Sequence, residues 1–369
     1  MDRPDPPPTI VFGPAYLDRV VRVDRPLVDP ALGNRPLDGS VDGAWIEAGG
    51  GLTLLDPAGN RIIVDLPAGW PGPSGTVGLA RALHDGAPGG SRRIRAVAWQ
   101  DDLGGMGSGF ASALGGDLVS ALGPEDDPTS RTISALLEAA RVPHRPIRVE
   151  GRSADWTLLI TSGEHGDKLP IGFRGCHSAV ATMAPWSDRR AGLRVVAALP
   201  NRLAAEALRG PSAVRMFAPS IRNMIDRDPP VSAFAEWVDI LSCNRGEWEL
   251  LADREEVAWR VSILAVTDGP RGAVVRFTTP EGDPGRIEVP AFPRAHPPRD
   301  TNRAGEAFGS TLISTLLDGG WTPGVTPTDL ARGAVDRASA AAALILDRAD
   351  FGFPSAARID GAIRAGMVG

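Results

Sequence analysis

Five short, nearly continuous apolar runs, with amphipathic segments between and after them, constrain this chain more than any other feature. The runs are Thr9 to Gly13, Arg93 to Trp99, Leu193 to Leu199, Ala213 to Ala218 and Val261 to Thr267. A strand with apolar side chains at successive positions must be covered on both faces, and in parallel sheets helices supply that cover. Gly75 to Leu83, Ser130 to Ala140, Ala304 to Leu317 and Thr328 to Leu346 carry apolar residues at helical spacing and are predicted as the covering helices. The alternation predicts a doubly wound α/β sheet, with its crevice at the C-terminal ends of the strands.

Two stretches break that rhythm. Arg19 to Leu66 and Arg145 to Phe173 alternate apolar and polar residues, as in Val20-Val21-Arg22-Val23, and this predicts half-exposed antiparallel strands. A small sheet over the crevice mouth and edge strands of the main sheet fit that periodicity equally. At 369 residues the chain suits one α/β domain, 1–369, enlarged by such an insertion.

Composition narrows the functional classes. Apolar residues at 43% supply a sizeable core, and a net charge of −6 gives no basic footprint for nucleic acid. Arginine is spread along the chain and Lys168 is the single lysine, a bias expected of GC-rich codons; its segment, Gly163 to Pro170, reads as a solvated turn. No run approaches ~20 apolar residues, and the proline-rich start lacks the basic and apolar regions of a secretory leader, so a cytoplasmic protein with no membrane partner is expected. Cys176 and Cys243 have no metal-type spacing and read as ordinary thiols, without a disulfide framework or structural zinc. His165 and His177 read as structural or exposed, since nothing in the sequence sets a carboxylate or nucleophile beside them.

The segment Asp300-Thr301-Asn302-Arg303-Ala304-Gly305-Glu306-Ala307-Phe308-Gly309 carries the most chemistry. It reads as a loop entering a helix whose start is lined by small residues. Free backbone N–H groups and the helix dipole at such a start favour an anion, including a phosphoryl group in transfer. Glu306, in the first turn, is a candidate to accept a proton from a substrate hydroxyl.

This segment resembles the second signature of the ribokinase/PfkB carbohydrate kinase family, Asp-Thr-Thr-Gly-Ala-Gly-Asp-Ala-Phe. Asp300, Thr301, Ala304, Gly305, Ala307 and Phe308 match it; Glu306 replaces the aspartate and Arg303 the first glycine. The resemblance implies a ribokinase-like three-layer αβα sandwich with a mainly parallel sheet and a small β-rich lid, its strands drawn from about 19–66 and 145–173. It implies ATP and Mg²⁺ as cofactors and a sugar, nucleoside or related small molecule as acceptor. Glu306 would be the base, with Arg303, Ala304 and Gly305 around the anion hole. The extra methylene of Glu306 changes its reach, and Arg303 would either contact the nucleotide phosphates or obstruct them.

Further resemblances follow in chain order. Val11 to Asp18 is similar to the family's opening strand and turn, giving Asp18 a role in binding the acceptor. Pro71 to Ala80 stands where the Gly-Gly and asparagine of the first signature belong; Gly72 survives, the asparagine does not, and Thr76 is the nearest polar residue. Trp99 to Gly104 resembles Gly-x-Asp-x-x-Gly, with Asp101 or Asp102 as the aspartate. Asn244-Arg245-Gly246-Glu247 resembles Asn-x-x-Glu, implying Mg²⁺ near Glu247; Asn244 alone reads equally as a helix cap. Thr267, Gly269 and Gly272 match Thr-x-Gly-x-x-Gly at the nucleotide, where Asn244, Asp300 and Thr301 would also lie; a plain turn is the alternative. The exposed edges of a lid can pair two copies into a homodimer. The departures at Arg303 and Glu306 leave one rival, a pseudokinase kept for binding or regulation. A dinucleotide-dependent oxidoreductase is disfavoured, because no Gly-x-Gly-x-x-Gly follows the first strand.

Overall fold

Ile10, Val11 and Phe12 of the first apolar run are fully buried, as continuous apolarity requires. The computed structural model describes residues 8–23, 43–46, 51–55, 61–65, 91–161, 168–173, 175–296, 298, 302–348 and 351–368. The chain begins with β1 (Thr9–Phe12) and β2 (Tyr16–Val23), then β3 (Gly43–Ile46), β4 (Gly51–Leu55), β5 (Arg61–Asp65) and β6 (Ser91–Gly104). Next come α1 (Met106–Leu114), β7 (Asp117–Leu122), α2 (Pro128–Ala139), β8 (His144–Arg148), β9 (Trp156–Thr161) and β10 (Lys168–Phe173). The central part holds α3 (Ala184–Ser187), β11 (Ala191–Ala197), α4 (Asn201–Leu208), β12 (Ser212–Ala218) and α5 (Ile221–Ile225). It continues with β13 (Ile240–Asn244), α6 (Arg245–Leu250), α7 (Arg254–Arg260) and β14 (Ile263–Thr267). The chain ends with β15 (Ala273–Thr278), β16 (Pro284–Val289), α8 (Ala304–Asp318), α9 (Thr328–Ile345) and α10 (Ala356–Ala365).

Nine strands form the large sheet in the order β16-β15-β14-β13-β12-β11-β1-β7-β8. All pairings from β14 through β1 to β8 are parallel, and only β15 and β16 run antiparallel. Sequence pattern accounts for the difference: the first four residues of β13 and β14 are buried on both faces, whereas β15 alternates, with Arg276 exposed. After β1 the chain builds towards β8 in one direction and towards β16 in the other, so β1 marks the switch point. Helix α1 packs on β1, β7 and β11 in a first layer, α4 packs on β11, and α6 packs on β13 and β14. Helices α8 and α9 pack on each other and α8 on α1, completing the first layer.

A second sheet has the order β10-β9-β2-β6-β5-β4-β3. It leaves the large sheet just past the C-terminal end of β1, at Tyr16, and covers the edge where an open α/β sheet has its crevice. Two expectations are corrected here. Arg93 to Trp99 belongs to β6, which pairs with β5 up to Arg95 and runs antiparallel to β2 from Ala96 in this second sheet, and Ala98, Trp99 and Gln100 are exposed; apolar content alone did not reveal which sheet the run joins. Residues 145–148 pair parallel with β7 at the edge of the large sheet, so the second sheet takes only the later part of 145–173. The expected helix Gly75 to Leu83 lies outside the described residues. Among the described residues no helix is long and apolar enough to cross a membrane.

The outer strand β8 is tied to β7 by a polar contact, His144 Nε2 to Ser120 Oγ at 2.9 Å. Burial, and then the charge of Arg148, push His144 from 6.5 down to about 4. The unfolded chain therefore takes up this proton first, and the stability tied to a neutral His144 is intact above 6.5 and falls as pH drops towards about 4. Replacing it by His144→Gln is expected to flatten the loss between about pH 7 and about pH 5, as read from urea denaturation at both values.

Candidate active site

The start of α8 is set by Arg303, which adopts a left-handed conformation, φ 66° and ψ 3°. This turn reverses the chain so that the first helical hydrogen bond runs from Ala307 N–H to Arg303 O, at 2.8 Å. The amides of Ala304, Gly305 and Glu306 precede that bond and have no acceptor inside the helix. Gly305 is exposed, and a side chain there would meet nothing within 4 Å. Glu306 packs on Gly109 of α1: a Cβ on that glycine would stand 3.1 Å from Glu306 Cγ and 3.5 Å from Oε1. The absent side chain at Gly109 makes room for the carboxylate.

Glu247 faces Glu306. Burial pushes the Glu247 carboxyl above its ordinary range, the negative charge of Glu306 adds to that, and hydrogen bonds from Asn244 oppose it. Those bonds form a capping box: Asn244 N–H donates to Glu247 Oε2 and Glu247 N–H donates to Asn244 Oδ1, both at 2.9 Å. Asn244 thus caps α6, while the pair also brings a carboxylate to the C-terminal end of β13. Thr267, the last residue of β14, pairs in register with Asn244, and its hydroxyl donates to Cys243 O at 3.4 Å. Beyond it a tight turn holds Gly269 and Gly272 at φ 52° and 95°. A side chain on Gly272 would strike Val289 O at 2.0 Å, so packing alone demands that glycine. Arg245 and Arg271 both reach Asp268 in this turn.

On the opposite side the second sheet meets the helix start. Asp18 of β2 and Asp102 of β6 are directly paired across the antiparallel ladder. The Asp18 carboxylate lies over Gly104, where a Cβ would fall 2.2 Å from its carboxyl carbon. Arg303 reaches Asp102 with 3.5 Å between Nη2 and Oδ2, and its guanidinium stands 5.2 Å from the Phe351 ring centroid. Next to it, Arg19 pairs with Asp101 at 3.6 Å and stands 5.0 Å from the Trp156 ring centroid. Burial outweighs their attraction, raising the Asp101 carboxyl and lowering Arg19.

The structure therefore brings Arg303, Ala304, Gly305, Glu306 and Glu247 together, with Asn244 and Thr267 on adjoining strand ends. Asp18 joins them through its neighbour Asp102. Gly72, Thr76, Asp300 and Thr301 lie outside the described residues. The two roles considered for Arg303 gain a third: its side chain holds the second sheet to the helix start. Gly109 and Phe351 escaped the sequence reading; the only signal for Gly109 was a glycine inside a helical segment, which calls for a packing reason. Position 303 favours glycine because φ is positive, and arginine tolerates it where the ion pair and ring contact compensate.

Similarity to known structures carries the fold. No family model and no curated protein matches the sequence. The chain is similar to a nucleoside kinase of Burkholderia thailandensis solved with inosine, at 16% identity and TM-score 0.63, covering 97% of each chain. It is similar to a ribokinase of Arabidopsis thaliana complexed with ribose and ATP, at 15% identity and TM-score 0.59, covering 97% of this chain and 99% of that one. A Methanocaldococcus jannaschii nucleoside kinase of the ribokinase family aligns at 13% identity and TM-score 0.61 over 97% of this chain and 98% of its own. The chain has the ribokinase-like fold, an αβα sandwich with a second sheet at the strand ends.

The strained turn and the ion pair set opposing effects of similar size. Arg303→Gly is expected to relieve about 1 kcal/mol of left-handed strain and to lose a comparable amount from the Asp102 pair and the Phe351 contact. Its unfolding free energy should stay within about 1 kcal/mol of the parent in chemical denaturation.

Proposed function

We propose that this protein is an ATP-dependent kinase that phosphorylates a hydroxyl of a sugar, nucleoside or related small molecule. The observation that carries the reading is the placement of the Glu306 carboxylate at the start of α8, beside the Ala304 and Gly305 amides that precede the first helical hydrogen bond. A carboxylate and a set of oriented donors are what phosphoryl transfer asks of a protein: one takes the hydroxyl proton, the others meet charge on the moving group. The ribose, inosine and ATP bound by the similar structures supply the substrate class.

Glu306 accepts the proton of the acceptor hydroxyl as that oxygen bonds to the terminal phosphorus and the bond to the nucleotide's leaving oxygen breaks. The Ala304 and Gly305 amides hydrogen-bond to the transferring phosphoryl oxygens, at no reorganisation cost because the helix already aims them. Asp18, with Asp102 beside it, orients the acceptor from the second-sheet side; the family resemblance adds Gly72 and Thr76 as further candidates for holding the acceptor. Thr267, Gly269, Gly272 and Asn244 line the nucleotide side; the family resemblance adds Asp300 and Thr301 as candidates for the same role. Glu247 would hold Mg²⁺: its carboxylate is a hard oxygen ligand, and a carboxyl whose proton affinity is raised by burial and by the charge of Glu306 is relieved by a cation. When bound, that ion supplies positive charge to offset the phosphate oxygens. Arg303 fastens Asp102 over the site, which helps to exclude water from it.

Two substitutions test the reading. In a Mg²⁺-ATP assay over a panel of sugars and nucleosides, Glu306→Gln is expected to lower kcat by ~10²–10⁴-fold with ATP affinity nearly unchanged. Turnover equal to the parent would remove Glu306 from the proton transfer, and ATP binding without turnover of any acceptor would favour the pseudokinase. Gly109→Ala should displace the Glu306 side chain by a few tenths of an ångström and lower kcat about tenfold, with little change in KM.

A further inference from the structure

Strands β9 and β10 form an antiparallel hairpin whose ends return to the same place. Asp155 stands immediately before β9, and Cys176 and His177 begin the short 3-10 turn Cys176–Ala179 that follows β10. The hairpin thus assembles a carboxylate, a thiol and an imidazole that the sequence keeps apart, against the reading of Cys176 and His177 as residues without such neighbours. All three are buried, Asp155 and Cys176 fully and His177 to 8% exposure.

Cys176 Sγ lies 3.6 Å from Asp155 Oδ1, His177 Nδ1 lies 3.6 Å from the same oxygen, and Sγ and Nδ1 are 3.9 Å apart. An ion at the centre of this triangle sits about 2.1 Å from each atom, within the ~2.0–2.3 Å that zinc keeps to nitrogen, oxygen and sulfur. Two further observations point to a ligand. The His177 ring is buried with no hydrogen-bond partner at Nε2, and its Nδ1 faces both the Asp155 oxygen at 3.6 Å and the Cys176 sulfur at 3.9 Å. Neighbouring backbone already holds the donors in place: Gly175 and His177 N–H donate to Asp155 Oδ1 at 3.0 and 3.1 Å, and Cys176 N–H donates to Ser153 O at 3.0 Å.

We infer that Asp155, Cys176 and His177 form a binding site for a divalent transition-metal ion, Zn²⁺ by its chemistry, at the base of the second-sheet hairpin. The mixed sulfur, nitrogen and oxygen set suits a borderline-soft ion, whereas Mg²⁺ and Ca²⁺ require oxygen alone. A thiolate, a carboxylate and a neutral imidazole balance a double positive charge, so the filled site buries no net charge. Three protein donors leave a fourth position for water. The ion would clamp the point where the chain leaves the second sheet for the 3-10 turn, which packs on β7 of the large sheet. This inference is independent of the kinase reading.

The test uses the full chain, stripped by a chelator and titrated with Co²⁺ as a spectroscopic substitute. Expected are a thiolate-to-cobalt charge-transfer band that saturates at one ion per chain, and its displacement by Zn²⁺. The band should persist in Cys243→Ser and be lost in Cys176→Ser, while His177→Gln should weaken Zn²⁺ binding by at least about 100-fold. Absence of a thiolate band in the parent protein overturns the inference, whether or not the variants fold. So does a band that survives Cys176→Ser or disappears in Cys243→Ser.

Discussion

The turn at Arg303 governs the whole site. By holding a positive φ just before α8, it fixes where the first amides of the helix point and which direction the first-turn carboxylate takes. Glycine adopts such a conformation without strain, and this chain keeps it with arginine, whose guanidinium finds Asp102 and Phe351. A backbone constraint and a tertiary contact are thereby combined in one residue. A substitution at position 303 therefore alters the strain at the turn and the contact between sheet and helix together.

Much of the large sheet was legible because its physics is local. Continuous apolarity in Leu193 to Leu199 and Val261 to Thr267 demands cover on both faces, and that demand is met by β11 and β14. The start of α8 was legible for the same reason, since small residues followed by a helical stripe define a terminus whatever surrounds it. Arg93 to Trp99 was misread because its burial depends on which sheet it joins, and the run of residues does not contain that choice. Residues 145–148 divided from the rest of their stretch on similar grounds: alternation marks a half-covered strand but does not name its neighbour.

Site residues divide along the same line. Asn244 and Glu247 could be paired from spacing alone, because a capping box operates within four residues. The contact of Glu306 with Gly109, and that of Arg303 with Asp102, join distant segments and leave no mark at either end beyond a glycine or a charge. Asp155 and Cys176, 21 positions apart, meet only because a hairpin closes between them. The carboxylate, thiol and imidazole occur at no recognisable spacing, and their meeting is a product of topology.

Strand β6 runs for 14 residues through the second sheet and passes through Gly105 alone into α1, with no intervening linker. At the usual rise this is a beam of about 45 Å joined directly to the helix on which Glu306 rests. The outer sheet and the helix beneath that carboxylate are therefore one unbroken course of backbone, with a single glycine as the joint between them.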